Sequence, residues 1–306
     1  MITHPLFNRT LVSIVFTFSI SASAPAWAER TFSILKRTAI EELSFHGKYR
    51  FNRVRGFTRR GVKSQRFEIR HGDCGRNSSG YSDCEHDRGR VERKERPKNV
   101  FSQPGKGIWY GYSIYIPKDF VSLGRGNTAL SQVKVEGELH PMWLVKFNDD
   151  PYILFTGGSS CKLPKLSAWR GKWNDITVYV NYSESGQKVY FQFFRNDKLL
   201  CEHRKSLIPP SVRGRPQKIG FKYGIYNSYV SRYLSANATK PVPKSGFSET
   251  HSTGVTSKSP SRTPFKIDWG VKLPTHVVFY DEMLAGTRRE DVDVRMREKR
   301  GLPPVD

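Results

Sequence analysis

Acidic residues are scarce in this chain: 28 Asp and Glu stand against 51 Lys and Arg in 306 residues, a formal charge of +23. A field of that sign argues against cationic partners and concentrates polyanions. In the cytosol it would suggest nucleic acid; outside, uronic-acid polysaccharides and glycosaminoglycans are the available polyanions. Long apolar runs are missing too. The longest, residues 11–24, is broken by Ser and Thr and falls short of the roughly twenty apolar residues a membrane span needs. With Arg9 before it and Ala26-Trp27-Ala28 after it, the run reads as a secretory signal over residues 1–28. The expectation is an exported, periplasmic or extracellular protein with no membrane contact, its mature chain forming one domain over 29–306. Cysteine is limited to Cys74, Cys84, Cys161 and Cys201. Sequence alone allows three pairings. Cys74 and Cys84 flank a Gly/Ser/Asn-rich excursion, so they are expected to pair, leaving Cys161 with Cys201. In the chain-entropy model, closing so short a loop stabilises by about 3 kcal/mol. Neither pair has the tight spacing of structural zinc, and neither a metal nor another cofactor is expected.

Helical periodicity is nearly absent. Only residues 34–43 read as a helix, and 288–300 are charged enough for a short helix or a solvated tail. Against that, 13% aromatic and 37% hydrophobic residues are enough for a core. Runs rich in aromatic and β-branched residues, bounded by Gly, Pro, Asn or Asp, predict strands at 65–70, 88–93, 107–115, 130–135, 142–148, 153–156, 173–182, 188–195, 218–226 and 276–284. The turn at 183–187 joins two of these into a hairpin, and the two-residue tip Asn196-Asp197 makes another. Many strands at this spacing argue for an all-β sandwich or jelly roll. The stretch 235–264, rich in Ser, Thr, Pro and Lys, has the composition of a flexible insertion.

Candidate chemistry sits on alternating positions. In Gly220-Phe221-Lys222-Tyr223-Gly224-Ile225-Tyr226, strand geometry puts Phe221, Tyr223 and Ile225 on one face and Lys222, Gly224 and Tyr226 on the other. Gly224 is expected to let a sugar ring approach the backbone. Arg66, Glu68 and Arg70 share a face, as do Arg88, Arg90 and Glu92. Repeated Arg-x-Glu on neighbouring strands would form a lattice in which carboxylates position guanidinium groups suited to bidentate carboxylate recognition; a structural salt-bridge ladder is the alternative. Gln132 and Lys134 share a face of a third strand. An amide and an ammonium there suit a substrate carboxyl.

The order Arg-x-Glu, Gln-x-Lys and Phe-Lys-x-Gly-Ile-Tyr, with Trp-Tyr-Gly-Tyr-Ser-Ile-Tyr-Ile-Pro at 109–117 and Val-Val-Phe-Tyr-Asp-Glu at 277–282, resembles the polysaccharide lyase family of heparin lyase I-like proteins. It is similar, more distantly, to alginate and glucuronan lyases, which show Arg-Ser-Glu, Gln-x-His and Tyr-Phe-Lys-Ala-Gly-x-Tyr in the same order. The resemblance spans about 66–286. It implies a concanavalin-like jelly roll whose concave groove binds an anionic polysaccharide of alginate, glucuronan or glycosaminoglycan type and cleaves it by β-elimination. By position, Tyr226 matches the acid that often also serves as base, and Gln132 and Arg90 match carboxylate-neutralising residues. Lys222 matches a substrate-binding lysine, and Arg66, Glu68, Arg88, Glu92 and Tyr223 complete the expected substrate-binding set. One departure matters: Lys134 stands where those lyases carry His. Either Lys134 is the base, or Tyr226 performs both transfers while Lys134 neutralises charge. The sequence favours the second, because a Lys beside several Arg loses its proton readily only when well buried. His46, His71 and His140 are the histidines left for the fold to supply instead. The expected protein is a monomer that does not bind nucleic acid. A non-catalytic module binding acidic glycans is the alternative from another class, and a periplasmic nucleic-acid binder is a third reading.

Overall fold

The structure, a computed structural model, describes residues 1, 31–99, 101–241 and 264–305. The expected signal sequence and most of the 235–264 stretch lie outside the described residues. The strands begin with β1 (Thr31–Ser33), β2 (Thr38–Ile40), β3 (Phe51–Arg55), β4 (Lys63–Ile69) and β5 (Arg88–Glu95). They continue through β6 (Gly107–Tyr115), β7 (Asn127–Val135), β8 (Trp143–Lys146), β9 (Tyr152–Phe155) and β10 (Ser160–Lys162). The last are β11 (Trp173–Asn181), β12 (Phe191–Arg195), β13 (Lys198–His203), β14 (Ile219–Ser228) and β15 (His276–Gly286). Four short helices accompany them: α1 (Ile34–Arg37), α2 (Val230–Ala236), α3 (Arg289–Val292) and α4 (Val294–Lys299).

The strands form two antiparallel sheets. The first runs β13-β12-β11-β6-β15-β4-β3, with β1 also paired to β15, and the second runs β10-β9-β8-β7-β14-β5-β2. Alternation dictates which face each side chain takes. Tyr110, Tyr112 and Ile114 from β6 and Ile176, Val178 and Val180 from β11 meet Phe221, Tyr223 and Ile225 of β14 and Val133 of β7 in one buried core. Tyr110 stacks on Phe221 at a centroid separation of 4.7 Å, joining the inner faces of the two sheets. Fully burying each such side chain contributes about 1.5–3 kcal/mol. The result is the all-β, jelly-roll type of sandwich that the strand pattern implied.

Both expected disulfides form. Cys74–Cys84, with Cα atoms 5.3 Å apart, closes the excursion between β4 and β5. Cys161–Cys201, at 5.9 Å, ties β10 of the second sheet to β13 of the first. The β12–β13 hairpin turns on Asn196 (φ 50°) and Asp197 (φ 68°), the paired positive φ values of a two-residue turn.

Two expectations need correction, and one pair of alternatives is resolved. The helix expected at 34–43 stops after one turn at Arg37, because Thr38–Ile40 pair as an edge strand with β5. Thr38 donates its hydroxyl back to Ile34 O at 2.8 Å, ending the helix instead of continuing it. The charged C-terminus takes the short-helix alternative rather than the solvated tail: α3 and α4 bury Val292 and Val294. Arg59 holds this end by salt bridges to Asp175 at 3.1 Å and Glu298 at 2.7 Å.

Gly224 is small for a reason other than sugar approach. Its φ is 132°, and a Cβ there would lie 2.3 Å from Val91 O and 2.9 Å from Glu92 Cα. The glycine serves a register shift between β14 and β7 at Tyr223/Tyr226, where a bulge bends the strand. Gly224→Ala is therefore expected to destabilise by about 3 kcal/mol or more, measured as the urea midpoint at constant m-value. A midpoint within error of the parent would contradict this origin for the glycine.

Candidate active site

The outer face of the second sheet gathers most of the residues singled out above. Register places Tyr226 opposite Arg90, Ser228 opposite Arg88 and Gly224 opposite Glu92 on β5. On the other side of β14, Lys222 lies opposite Gln132 and Gly220 opposite Lys134 of β7. Because Phe221, Tyr223 and Ile225 are committed to the core, the intervening Lys222 and Tyr226 must face outward.

The buried cations Arg90 and Lys222 on this face draw carboxylate partners from other segments of the chain. Arg90 makes a bidentate pair with Asp83 at 2.6 and 2.8 Å. It lies 3.8 Å from Glu92 and has its guanidinium carbon 4.6 Å from the Tyr226 ring centroid. Gln132 Nε2 donates to Glu92 Oε1 at 2.7 Å, while Glu92 Oε2 is buried with no hydrogen-bond donor. Lys222 Nζ is 3.0 Å from Glu41 Oε2. Arg88 Nη1 donates to the Tyr81 hydroxyl at 2.8 Å, and the Tyr81 ring stacks on His86 at 3.9 Å. His86 Nδ1 lies 2.8 Å from Ser82 O.

These surroundings set the acid–base character of the site. Burial pushes the Tyr226 phenol up to about 12, although Arg88 and Arg90 pull it down. Burial pushes the Lys134 ammonium down to about 8, reinforced by Lys222, Arg90 and Arg88. Burial also raises Glu92, opposed by Lys222 and Arg90. It would raise Glu41 too, but Lys222 and Lys94 hold that carboxylate below its ordinary range. The face thus carries a phenol that stays protonated and an amine with a neutral fraction near physiological pH.

Some expected members are elsewhere. Arg66 and Glu68 lie on β4, in the first sheet, so the two Arg-x-Glu segments are not neighbours in one sheet. Glu68 is bridged there by Arg66 and by Arg70, two residues before and after it, so these pairs run along one strand rather than across two. Tyr223 is fully buried and donates its hydroxyl to Gln65 at 2.7 Å, which removes it from any substrate-binding role. The histidines are used differently: His71 Nδ1 accepts the Leu273 N–H at 3.1 Å, His46 sits 3.3 Å from Arg50, and His140 is exposed after β7.

The sequence reading missed Asp83, Tyr81, His86 and Glu41. Asp83 and Tyr81 lie in the excursion that the Cys74–Cys84 bridge closes, and Asp83 adjoins Cys84. That bond was the available signal that the loop is held against β5. Among the described residues no group of three or more His, Cys, Asp or Glu is arranged to hold a metal ion. No helix among them is long and apolar enough to cross a membrane.

A family model described as polysaccharide lyase matches residues 31–255. No curated protein matches the chain. Among solved structures, alginate lyase A1-II′ is similar at 11% identity and a TM-score of 0.47, covering 83% of this chain and 96% of that one. The cellulose-induced protein Cip1 aligns at 10% identity and 0.45, covering 83% and 93%. The catalytic domain of a GH131 β-glucanase from Podospora anserina aligns at 8% and 0.45, covering 84% and 88%. Similarity at that level carries no argument about chemistry.

The Arg90–Asp83 pair gives the site its most direct stability test. Asp83→Ala leaves a buried guanidinium without its bidentate partner, a change that costs about 3–5 kcal/mol. Chemical denaturation is expected to show that loss, and an unchanged midpoint would contradict the role given to the pair.

Proposed function

The chain belongs to the polysaccharide lyase family, and on that premise we propose that it cleaves a uronate-containing polyanion by β-elimination after export to an oxidising compartment. One observation carries this reading: Arg88, Arg90, Gln132, Lys134 and Lys222 share one face of the second sheet with Tyr226. The two disulfides fit the compartment.

The reaction requires a proton to leave C5 of the uronate, where the adjoining carboxylate makes it barely acidic. Arg90 and Gln132, with the field of Lys222, supply the donors and positive charge that stabilise the developing carbanion. As the C5 proton is taken, the C4–O4 bond breaks, a C4–C5 double bond forms, and O4 receives a proton. Tyr226, held protonated by burial, gives that proton. Lys134, with its pKa lowered to about 8, is the better base, since a catalytic base works best with a pKa near the operating pH. This takes up the first of the two alternatives the sequence left open, Lys134 as base, rather than the one it favoured, in which Tyr226 performs both transfers. Arg88 orients the phenol side of the site through its own contact with Tyr81.

The sign of the pH dependence follows from these two groups. Lys134 acts as a neutral amine, so kcat/KM should rise with pH and level off above about 8. Tyr226 acts as an acid and keeps its proton until about 12, so no falling limb is expected before that range. The test is ultraviolet detection of the unsaturated uronate from alginate, glucuronan and heparin. Tyr226→Phe should abolish product while sparing binding. Lys134→Arg, which cannot supply a neutral amine, should lower kcat/KM by about 100-fold or more, whereas Lys134→His should retain activity with its rising limb moved down toward the imidazole range. Full activity in Lys134→Arg would return both transfers to Tyr226, and binding without product on every polymer would favour the non-catalytic glycan module.

A further inference from the structure

The second sheet carries a row of side chains that extends well beyond Tyr226. In register across six strands, Arg90, Tyr226, Ala129, Lys146, Tyr152 and Lys162 are successive Cα partners. Residues directly opposite on paired strands share a face, and Val145 and Ile153 beside Lys146 and Tyr152 point into the core. Lys146 and Tyr152 therefore share the outer face with Tyr226.

Strands lie about 4.8 Å apart, so Lys146 sits about 10 Å and Tyr152 about 14 Å from the Tyr226 position along the row. A pyranose unit is about as long as one strand spacing, which lets a chain laid across the strands present successive sugars to successive row members. Ala129, between Tyr226 and Lys146, has the smallest side chain of the row and leaves room for a ring. Beside the row, Leu144 pairs with Gln132 and Leu154 with Leu144. Leu144 is only 6% exposed yet lies outside the main core cluster, so it supplies apolar floor for the C–H face of a sugar.

Lys146 differs from the cations nearer Tyr226. Arg90 has Asp83 and Lys222 has Glu41, but among the described residues Lys146 has no carboxylate within salt-bridge distance. Its ammonium rests 5.1 Å from the Tyr152 ring centroid, a cation–π contact that orients the charge without neutralising it. We infer that Lys146 and Tyr152 form a second subsite for an acidic sugar, in which Lys146 takes a uronate carboxylate and Tyr152 packs a neighbouring ring. The inference rests on the lyase reading of the Tyr226 site.

The experiment uses the full exported protein with alginate and glucuronan oligosaccharides graded from disaccharide to hexasaccharide. Lys146→Ala should raise KM about tenfold or more, the size of a lost charge-assisted hydrogen bond, with kcat within about twofold. The gain in kcat/KM on lengthening the oligosaccharide should disappear, Tyr152→Ala should have the same direction of effect, and Lys146→Arg should restore the length dependence. A second arm measures hexasaccharide binding by calorimetry in the Tyr226→Phe background, where adding Lys146→Ala should weaken affinity about tenfold. Product formation with unchanged KM, length dependence and affinity in Lys146→Ala would overturn the subsite and leave the lyase reading intact. Absence of product from the parent, with hexasaccharide affinity still falling in Lys146→Ala, would overturn the lyase reading and leave the subsite. Neither product nor binding of either hexasaccharide would overturn both.

Discussion

A charged group leaves water only when an opposite charge and hydrogen bonds go with it, and that constraint shapes the outer face of the second sheet. Asp83 reaches Arg90, Glu41 reaches Lys222, and Glu92 is shared between Gln132 and Arg90. Lys134 has no such partner among the described residues. It is also the cation of this face whose pKa falls to about 8. The pattern of pairing thus separates Arg90 and Lys222, each with a carboxylate, from Lys134, whose ammonium burial pushes down. The same reasoning singles out Lys146, which is oriented by an aromatic ring but has no carboxylate partner among the described residues.

Asp83 and Glu41 come from segments outside the sheet's central strands, so the site depends on how those segments are fastened. The Cys74–Cys84 bridge fixes the excursion that presents Tyr81 and Asp83. Asp87, in a left-handed conformation just before β5, accepts the Ser231 N–H at 2.7 Å and its hydroxyl at 2.6 Å. This joins the start of α2 to the same excursion. A second hydrophobic cluster of Leu123, Val230, Leu234, Trp269 and Leu273 supports α2 from its other side. Glu41 follows directly on β2, the edge strand that pairs with β5. Loop, edge strand and helix together position Asp83 and Glu41, which add to the Glu92 that β5 itself supplies.

Much of the fold was legible because period-two alternation is a local property. The ten strands read from the sequence all have counterparts, and the outward placement of Lys222 and Tyr226 followed from Phe221, Tyr223 and Ile225 facing the core. Sheet membership was not legible. Arg66-x-Glu68 and Arg90-x-Glu92 share a pattern but occupy different sheets, a distinction fixed by long-range pairing that no local spacing encodes. Edge strands were also missed. Thr38–Ile40 are too short to show alternation, so Glu41 was assigned to a helix end when it is the counter-ion of Lys222. Tyr223 illustrates a third limit: it stands in the expected substrate-binding set although it alternates onto the face of Phe221 and Ile225, and Gln65 from the other sheet satisfies its hydroxyl in the core.

The central claim is that the polysaccharide linkage is broken by elimination without water entering the new chain ends. Degrading a susceptible uronate polymer in heavy-oxygen water and weighing the fragments tests it most directly. The account predicts no heavy oxygen at the new reducing ends and new non-reducing ends lighter by one water than hydrolysis would leave. Incorporation of one heavy oxygen per cleavage would contradict it.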